Sequence, residues 1–593
     1  MPVGVPSSNP GLPFRAGGFA SLAEGLDYAA RGETGFCFFG PRGTLETALS
    51  YAELRERALD LAARLGSLGL GRGERVALVA ETDPDFVSLF FACQYGGLVP
   101  VPLPLPINFA GHAPYVARLA AVLRTARARA AFGSPELVPL LRQAAASTRP
   151  AFVGTVAELE ALPAEGPIAP LGDDEACYVQ FSSGSTQAPK GIMVTQRALM
   201  ANIDANAGHG GLAIRAGDRC VSWLPLYHDM GLVGCCLTPA LVQGSVDFFA
   251  STSFARRPLL WLKLIAEQGG TIAFSPTFGY QLCAKRATAA DVAGLDLRSW
   301  RVAGVGAEVI RPSVLEAFAE TFAGAGFDRR AFLPSFGLAE ATLAVTLTPP
   351  GTGYGLDTVE RGPAFDRMGL ALAVTDEFDR DEKATRSFVV CGVPLPGHEV
   401  EIRDKHGRKR PERCVGRIHV RGPSVMRGYV GGDAEIPSPL TLDGWLDTGD
   451  LGYLVAGSLV VTGRSKDLII VNGRNIWPQD LEWAAEGVEG VRTGDAAAFA
   501  VSDPDRGERV VLVVECRLPS RERRAELRRA VQTALQETSG VEVEVVLVPP
   551  RSLALTTSGK LSRAATQAAY LDGSLGDLDA ADADEALPVL AMA

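Results

Sequence analysis

The stretch YVQFSSGSTQAPKG, residues 178–191, is the most informative for the fold, because an apolar strand runs directly into small and hydroxylated residues. Such a loop lets several backbone N–H groups turn toward an anion, and its hydroxyls and Lys190 would complete a phosphate cradle. A Walker A loop needs G-x-x-x-x-G-K-[ST], which is absent here, and residues 304–306 lack the third glycine of a dinucleotide-binding turn. The pattern predicts a phosphate-binding loop, and a Ser/Gly-rich surface turn stays open as the alternative.

Helix and strand patterns alternate on both sides of this loop. Residues 51–70 place apolar side chains on one helical face, and residues 76–80 have the pattern of a buried strand. Asp83-Pro84 offers a cap and a first-turn proline for the next helix. A strand at 302–306 ends in a glycine turn, and a helix is predicted over 312–322. This alternation predicts an α/β fold, with helices on the faces of a sheet.

The length of 593 residues exceeds what one hydrophobic core holds, which is about 250–300 residues. A small α+β domain is expected over 467–570, with strands at 496–501, 510–516 and 541–548 and a charged helix over 521–537. Residues 571–593 contain six acids and no Lys or Arg, which predicts a disordered acidic tail.

Charge and cysteine usage narrow the class of protein. The net charge of −11 does not favour binding to nucleic acid or to anionic lipid. The ten cysteines form no C-x-x-C pair, so we expect reduced thiols rather than a zinc site or disulfides. The first 18 residues lack the apolar core of a secretory signal, and no run of about 18 apolar residues occurs. We therefore expect a cytoplasmic protein without a membrane span.

Further motifs follow the loop in a fixed order. They are WLPLYHDMG at 223–231, GAE at 306–308, SFGLAEAT at 335–342, WLDTGDLG at 445–452, GRSKD at 463–467 and TTSGKL at 556–561. Together with the loop, these stretches resemble the motifs of adenylate-forming enzymes, which include acyl-CoA synthetases, luciferases, peptide-synthetase adenylation domains and fatty acyl-AMP ligases. The resemblance covers roughly residues 20–570.

The resemblance implies an adenylate-forming enzyme fold. A large N-terminal domain, residues 1–463, would consist of α/β subdomains and a β-barrel-like portion. A hinge at 464–466, centred on Lys466, would carry the small mobile α+β domain. Residues at the hinge need backbone freedom more than chemistry.

The resemblance also assigns candidate site residues. The catalytic candidates are Lys560, which would stabilise charge on the α-phosphate, Glu340, which would bind Mg²⁺ together with Thr186, and His228, a binding residue rather than a general base. The candidates for ATP binding are Ser182, Ser183, Gly184, Ser185, Thr186, Lys190, Gly306, Ala307, Glu308, Ser335, Phe336, Gly337, Leu338, Thr342, Asp450 and Arg464. The expected acyl pocket includes Trp223, Gly231, Thr277 and Phe278. Taken singly, a lysine in a loop is usually a solvated surface group, and an isolated histidine is usually structural.

Several details resemble fatty acyl-AMP ligases more than acyl-CoA synthetases. They are the loop sequence Gln187-Ala188-Pro189-Lys190, the stretch DLIIVNGRNIWPQDLE at 467–482, and a candidate insertion at about 348–390. In that family the insertion hampers the domain movement that CoA use requires, although a plain mobile loop is the alternative here. The resemblance implies ATP-dependent formation of a fatty acyl-AMP and release of pyrophosphate. The acyl group would then pass to the phosphopantetheine thiol of a separate acyl carrier protein, as in polyketide, lipopeptide or complex-lipid synthesis. An acyl-CoA or aryl-CoA synthetase and a nonenzymatic adenylate-binding scaffold stay open as alternatives.

Overall fold

The structure is a computed structural model that describes residues 6–7, 9–106, 112–181, 190–374, 385–430, 438–471, 474–503, 507–556 and 560–579. Its strands are β1 Gly35–Phe39, β2 Leu45–Ser50, β3 Arg75–Val79, β4 Val99–Leu103, β5 Ala130–Phe132, β6 Phe152–Gly154, β7 Ala176–Phe181, β8 Gly191–Thr195, β9 Arg219–Ser222, β10 Ser245–Phe249, β11 Ile272–Ser275, β12 Val302–Val305, β13 Phe332–Gly337, β14 Ala344–Leu347, β15 Leu356–Glu360, β16 Thr385–Val389, β17 Val393–Pro394, β18 Glu399–Arg403, β19 Gly416–Arg421, β20 Gly428–Val430, β21 Leu446–Val455, β22 Ser458–Arg464, β23 Ile469–Val471, β24 Arg474–Ile476, β25 Ala496–Asp503, β26 Gly507–Glu515 and β27 Val543–Val548.

The helices cover the faces of the sheets. They are α1 Leu22–Ala29, α2 Tyr51–Gly66, α3 Pro84–Tyr95, α4 His112–Ala126, α5 Val138–Ala145, α6 Val156–Glu160, α7 Gln196–Ala207, α8 Thr238–Leu241, α9 Ser251–Arg256, α10 Leu259–Gln268, α11 Thr277–Arg286, α12 Ala289–Ala293, α13 Pro312–Phe322, α14 Pro363–Asp366, α15 Pro478–Glu486, α16 Arg521–Ser539 and α17 Arg563–Leu571. A π-helix, Met230–Leu237, precedes α8, and a 3₁₀ turn, Ala339–Ala341, follows β13.

The large sheet has the strand order β17-β14-β13-β12-β11-β9-β10-β1-β2. Strands β1, β10, β9, β11, β12 and β13 run parallel, so their carboxyl ends meet at one edge. A second, parallel sheet has the order β4-β3-β5-β6, and β20-β8-β7 form a third sheet. Parallel strands buried under helices form the α/β arrangement that the sequence predicts.

In the region where a barrel-like portion is expected, the structure has a four-stranded antiparallel sheet with the order β18-β19-β21-β22. After β22, a turn containing the exposed Lys466 leads into the small domain, in which β25-β26-β27 pack against α15 and α16. The apolar seam of α16, residues Leu527, Val531 and Leu535, lies against these strands, while its arginines lie mostly outside.

The start of the predicted acidic tail is packed against the small domain. Helix α17 ends at Leu571, and the Asp579 carboxylate forms ion pairs with Arg524, at 2.9 Å, and with Arg528. Leu575 and Leu578 contact the apolar clusters of the small domain. The prediction of disorder was therefore wrong for residues 571–579, because α16 supplies cations for Asp579. Residues 580–593 lie outside the described part of the chain.

All ten cysteine side chains are buried and none is in a disulfide. Nine lie in the large domain, and Cys516 lies in the small domain just after β26. Burial raises the pKa of the Cys391 thiol to about 12. Among the described residues, no helix is both long and apolar enough to cross a membrane.

Candidate functional site

A cavity of about 780 Å³ lies where the carboxyl edge of the large sheet meets the small domain. The candidates on its wall are His228, Thr277, Phe278, Ala307, Glu308, Ser335, Phe336, Gly337, Leu338, Glu340, Asp450, Arg464 and Lys560. Ligand sites in α/β sheets lie at this edge because loops from neighbouring parallel strands converge there. The wall therefore brings together most of the described candidates from six separate motifs.

The loop after β12 runs close beside the end of β13. A side chain at Gly306 would place its Cβ 2.7 Å from the Ser335 carbonyl oxygen, which is closer than real Cβ atoms approach. Ala307 then adopts φ +68°, in the left-handed region. Gly306 lies behind the wall, and its role is to let the loop approach β13 and present Ala307 and Glu308 to the cavity.

Lys560 extends from the small domain to this loop of the large domain. Its ammonium donates a hydrogen bond of 2.7 Å to the Ala307 carbonyl oxygen. Burial lowers the pKa of Lys560, while the carboxylates of Glu308 and Asp229 oppose that shift. A cation from one domain thus lies among acceptors of the other, where an incoming anion would add a further partner.

Asp229 holds the imidazole of His228. The Asp229 Oδ1 atom lies 2.5 Å from His228 Nδ1 and also accepts a hydrogen bond from the Met230 N–H at the start of the π-helix. Burial alone would raise the pKa of Asp229, but His228, Lys560 and the Met230 N–H together lower it. The carboxylate therefore stays ionised and fixes the orientation of a ring that lines the cavity.

Glu308 lies on the cavity wall, enclosed by neighbouring protein atoms yet open to the cavity. It accepts a hydrogen bond of 3.3 Å from the Phe278 N–H at the first turn of α11. Burial raises the pKa of Glu308, and Lys560 and the N–H groups of Phe278 and Thr277 oppose the shift. The start of α11 and Lys560 together hold this carboxylate.

Asp450 and Arg464 face each other across the antiparallel pair β21 and β22. Their side chains form an ion pair of 3.2 Å. Burial raises the pKa of Asp450 to about 6, although Arg464 opposes the shift. A carboxylate with free lone pairs beside a guanidinium can accept from two hydroxyl groups of a sugar and keep its charge balanced.

Glu340 lies in the 3₁₀ turn after β13. The Tyr429 hydroxyl donates a hydrogen bond of 3.0 Å to Glu340 Oε1, and the Lys190 ammonium lies 5.2 Å from the centre of the Tyr429 ring. Burial raises the pKa of Glu340. The Tyr429 hydroxyl is neutral and does not balance the charge of Glu340, so a cation at the other oxygen would be stabilising.

The residues around Glu340 fit a magnesium ion carried largely by a nucleotide. Mg²⁺ keeps several waters and usually takes one or two protein carboxylates together with substrate phosphates. Among the described residues, no group of three or more His, Cys, Asp or Glu side chains is placed to hold a metal by itself. A single half-buried carboxylate at the cavity wall agrees with a magnesium ion that the nucleotide carries. Thr186, the second predicted metal ligand, lies outside the described residues.

Besides Gly306, the described candidates Thr342, Trp223 and Gly231 lie behind the cavity wall rather than on it. Thr342 is fully buried with φ +72°, and its hydroxyl donates 2.7 Å to the Ser424 carbonyl oxygen rather than facing the cavity. Trp223 stacks on Phe254 at 3.8 Å and contacts Phe278 edge-on, so it supports the wall from behind.

Gly231 also lies behind the wall rather than on it. A Cβ there would be 2.2 Å from the Pro225 carbonyl oxygen, so this glycine allows the π-helix to pack against the preceding loop. Motif resemblance cannot separate wall residues from the residues that support them, since both belong to the same short stretches.

The remaining candidates lie outside the cavity wall or outside the described chain. Lys190 contacts the site through Tyr429, and Lys466 is exposed in the turn between the domains. Ser182, Ser183, Gly184, Ser185 and Thr186 lie outside the described residues, so their predicted phosphate contacts stay predictions.

Sequence reasoning missed Tyr429 and the contacts that hold the small domain. Arg311 pairs with Glu486 at 2.8 Å and lies over the Trp483 ring at 5.3 Å, while Lys285 donates to Thr493. These partners are far apart in the sequence, and no local pattern joins them. The adjacency of His228 and Asp229, in contrast, was visible in the motif.

Comparison with known proteins assigns the chain to a family. The sequence profile of "AMP-binding enzyme" matches residues 34–430, about two thirds of the chain. The chain belongs to the AMP-binding enzyme family. This membership implies the use of ATP and confirms the predicted enzyme class against the nonenzymatic alternative.

Individual relatives within the family match most of the chain. A protein of Caulobacter vibrioides named "Putative acyl-CoA synthetase" is 46% identical over 561 residues, 94% of this chain and 96% of the relative. "Long-chain-fatty-acid--AMP ligase FadD26" of Mycobacterium marinum is 32% identical over 578 residues, 92% and 96% of the two chains.

Solved structures confirm the fold. A chain from "Structural and Functional Studies of Fatty Acyl-Adenylate Ligases from E. coli and L. pneumophila" superimposes with a TM-score of 0.89 at 43% identity, covering 95% of this chain and all of the other. The adenylate-forming fold and the resemblance to fatty acyl-AMP ligases are confirmed, and the FadD26 relative and this solved structure are both named for fatty acyl adenylation.

Proposed function

We propose that the protein activates a medium- or long-chain fatty acid with ATP and Mg²⁺, forms the acyl-AMP, and passes the acyl group to the phosphopantetheine thiol of a separate acyl carrier protein. The observation that carries the first step is the position of Lys560. Its ammonium donates a hydrogen bond of 2.7 Å to the Ala307 carbonyl oxygen, and Lys560 lines the same cavity as His228, Asp450 and Glu340.

The first step joins two anions, so its barrier is largely electrostatic. A carboxylate oxygen of the acid forms a bond to the α-phosphorus, and the bond from that phosphorus to the pyrophosphate oxygen breaks. Lys560 would donate to the carboxylate and to an α-phosphate oxygen as negative charge builds there. No general base is needed, because the acid is already ionised at neutral pH. Mg²⁺ bound at Glu340 would neutralise charge on the phosphates.

The cavity wall also carries protein groups that match the ribose and the adenine of the nucleotide. Asp450 would accept from the ribose hydroxyls, with Arg464 beside it, and the backbone at 307–308 would face the adenine. The Asp229–His228 pair would border the acyl carboxylate. In the second step, a thiolate attacks the acyl carbonyl carbon, and AMP leaves with the electrons of the C–O bond.

The segment at 356–389, defined by β15, α14 and β16, supports a carrier protein rather than CoA as the acceptor. It lies within the predicted insertion, and its described residues, 356–374 and 385–389, contact the small domain at several points. Arg386 pairs with Asp480 at 2.9 Å, Asp366 pairs with Arg474 at 3.3 Å, and Arg361 donates 3.1 Å to the Thr538 carbonyl oxygen. These contacts favour the orientation in which Lys560 is in the cavity, so the rotation that CoA transfer requires would be disfavoured.

A fatty acyl-CoA synthetase is the second candidate, because the relative at 46% identity bears that name. Both candidates form acyl-AMP, and only the acceptor distinguishes them.

The decisive experiment incubates the purified protein with ATP, Mg²⁺ and a pool of straight-chain and aryl-alkanoic acids. CoA, a phosphopantetheinylated carrier protein or no acceptor is added in parallel, and products are identified by mass spectrometry. Acyl-AMP without acceptor and acylated carrier with little acyl-CoA would support the proposal. Abundant acyl-CoA would overturn the acceptor assignment, and the absence of acyl-AMP from every acid would overturn the activity.

A further inference from the structure

Tyr429 joins two charged groups that lie on different elements of the site. It sits in β20, which pairs antiparallel with β8 so that Tyr429 is opposite Ile192. Lys190 immediately precedes β8, and this pairing brings its ammonium to 5.2 Å from the centre of the Tyr429 ring. On its other side, the hydroxyl of the same ring donates 3.0 Å to Glu340 Oε1. One half-buried aromatic side chain therefore contacts both a cation and a carboxylate.

The segment that carries Tyr429 also holds the backbone around Glu340. The Met426 N–H donates 2.7 Å to the Glu340 carbonyl oxygen, and the Ser424 hydroxyl donates 3.0 Å to the Ala341 carbonyl oxygen. The Thr342 hydroxyl donates back to the Ser424 carbonyl oxygen. The backbone of the turn is thus held at three points without Tyr429, and the Tyr429 hydroxyl acts on the Glu340 carboxylate itself.

We propose that Tyr429 is a positioning residue for the binding of magnesium-bound ATP, and this inference rests on the proposed function. By donating to Oε1, it would leave Oε2 of Glu340 as the oxygen that meets the metal. By offering the face of its ring to Lys190, it would hold the ammonium beside the phosphates through a cation–π contact. The two groups that neutralise the triphosphate would thus be preorganised by one side chain, which itself does not contact the reacting atoms.

Two substitutions separate the two contacts. Tyr429→Phe keeps the ring under Lys190 and removes only the hydroxyl, so Glu340 loses one hydrogen bond to a charged group. We expect the affinity for ATP with Mg²⁺ to fall about tenfold, as for one charge-assisted hydrogen bond. Tyr429→Leu also removes the ring and should weaken that affinity by roughly a further threefold.

Tyr354 provides a matched control outside the cavity. Its hydroxyl donates 2.6 Å to Glu316 Oε2, and the Arg329 guanidinium lies 5.8 Å from its ring centre. Tyr354→Phe therefore makes the same chemical change in the same kind of contact, and we expect it to leave nucleotide affinity unchanged.

The test is calorimetric titration of the full-length protein with ATP plus Mg²⁺, and separately with AMP in the absence of metal, without any acid present. Loss of ATP–Mg²⁺ affinity in Tyr429→Phe with AMP affinity retained would support the inference. Unchanged ATP–Mg²⁺ affinity would overturn it, and a parallel loss of AMP affinity would also overturn it by showing general disruption of the site. If the wild-type protein makes no acyl-AMP, the proposed function fails, yet these titrations still decide the role of Tyr429.

Discussion

The ion pair between Arg386 and Asp480 offers a direct way to release the small domain. Arg386 lies on β16, within the segment at 356–389, and its side chain is 6% exposed. It lies over the rings of Phe388 and Trp477, and its guanidinium is 2.9 Å from Asp480 on α15. Replacing Arg386 with Met keeps much of the apolar packing and removes the cation.

The expected effect follows from the burial of the remaining charge. Asp480 is 16% exposed, and in Arg386→Met it would be a buried carboxylate without its partner. Removing one partner of a buried pair costs about 3–5 kcal/mol, but the carboxylate would regain water in the proposed rotated orientation of the small domain. We therefore expect the orientation with Lys560 in the cavity to be destabilised by about 2–3 kcal/mol relative to rotated orientations. The ratio of rotated to unrotated protein would then rise roughly 30- to 150-fold.

The assay is the ratio of acyl-CoA to acyl-AMP formed with ATP, a fatty acid and CoA, alongside acid-dependent pyrophosphate exchange. Arg386→Met should raise the ratio and lower the exchange rate. Arg330→Met is the control, because Arg330 and Asp328 form a pair whose side chains are 71% and 47% exposed. Such an exposed pair contributes at most about 1 kcal/mol, so the ratio should not change.

The double variant Arg386→Met with Asp480→Leu removes the unpaired charge and should return the ratio toward that of the wild type. The reasoning would be refuted if folded Arg386→Met protein gave the wild-type ratio. It would also be refuted if the double variant were as strongly shifted as the single one, since the buried charge would then not be the cause.

Three further variants test other parts of the molecule. Lys560→Met should reduce acid-dependent pyrophosphate exchange by about 10²–10³-fold while acyl transfer from supplied acyl-AMP persists, and full exchange would exclude its role in adenylation. Burial raises the pKa of Asp83 to about 6 from 3.8, so the contribution of Asp83 to the free energy of unfolding falls as pH rises from 3.8 to 6. In thermal unfolding, Asp83→Asn should therefore raise the free energy of unfolding by about 1–2 kcal/mol at pH 8 and change it little at pH 4. An equal effect at both pH values would contradict that cause. Asp579→Ala leaves Arg524 and Arg528 without their shared carboxylate and should destabilise the small domain by about 1–3 kcal/mol in urea denaturation, whereas a disordered tail would show no loss.

Local patterns predicted the elements well where the sequence carries its own start and stop signals. The helix predicted over 312–322 is α13, Pro312–Phe322, because a proline opens it and its apolar face is regular. Asp83 caps α3 as expected, accepting a hydrogen bond from the Phe86 N–H. Strands without such signals shifted by a few residues, as for β27, which begins at Val543 rather than 541.

Long-range contacts account for most of what the sequence did not predict. Composition alone made residues 571–593 resemble a solvated tail, yet Asp579 pairs with arginines 51 and 55 positions earlier in the chain. In the site, motif resemblance placed Asp450, Glu340 and Lys560 together, and the structure brings all three to one cavity. Motif resemblance could not identify Tyr429, because its partners Lys190 and Glu340 lie on other elements.

The burial of every thiol turns the native cysteines into reporters of opening. A thiol-specific reagent reacts with a buried cysteine only when the surrounding structure unfolds, so modification rates measure the free energy of that opening. Cys516 reports on the small domain alone, and the nine others report on the large domain. Peptide mapping after timed labelling would therefore compare the stabilities of the two domains in the unmodified protein, and would show which of them ATP or an acyl-adenylate protects.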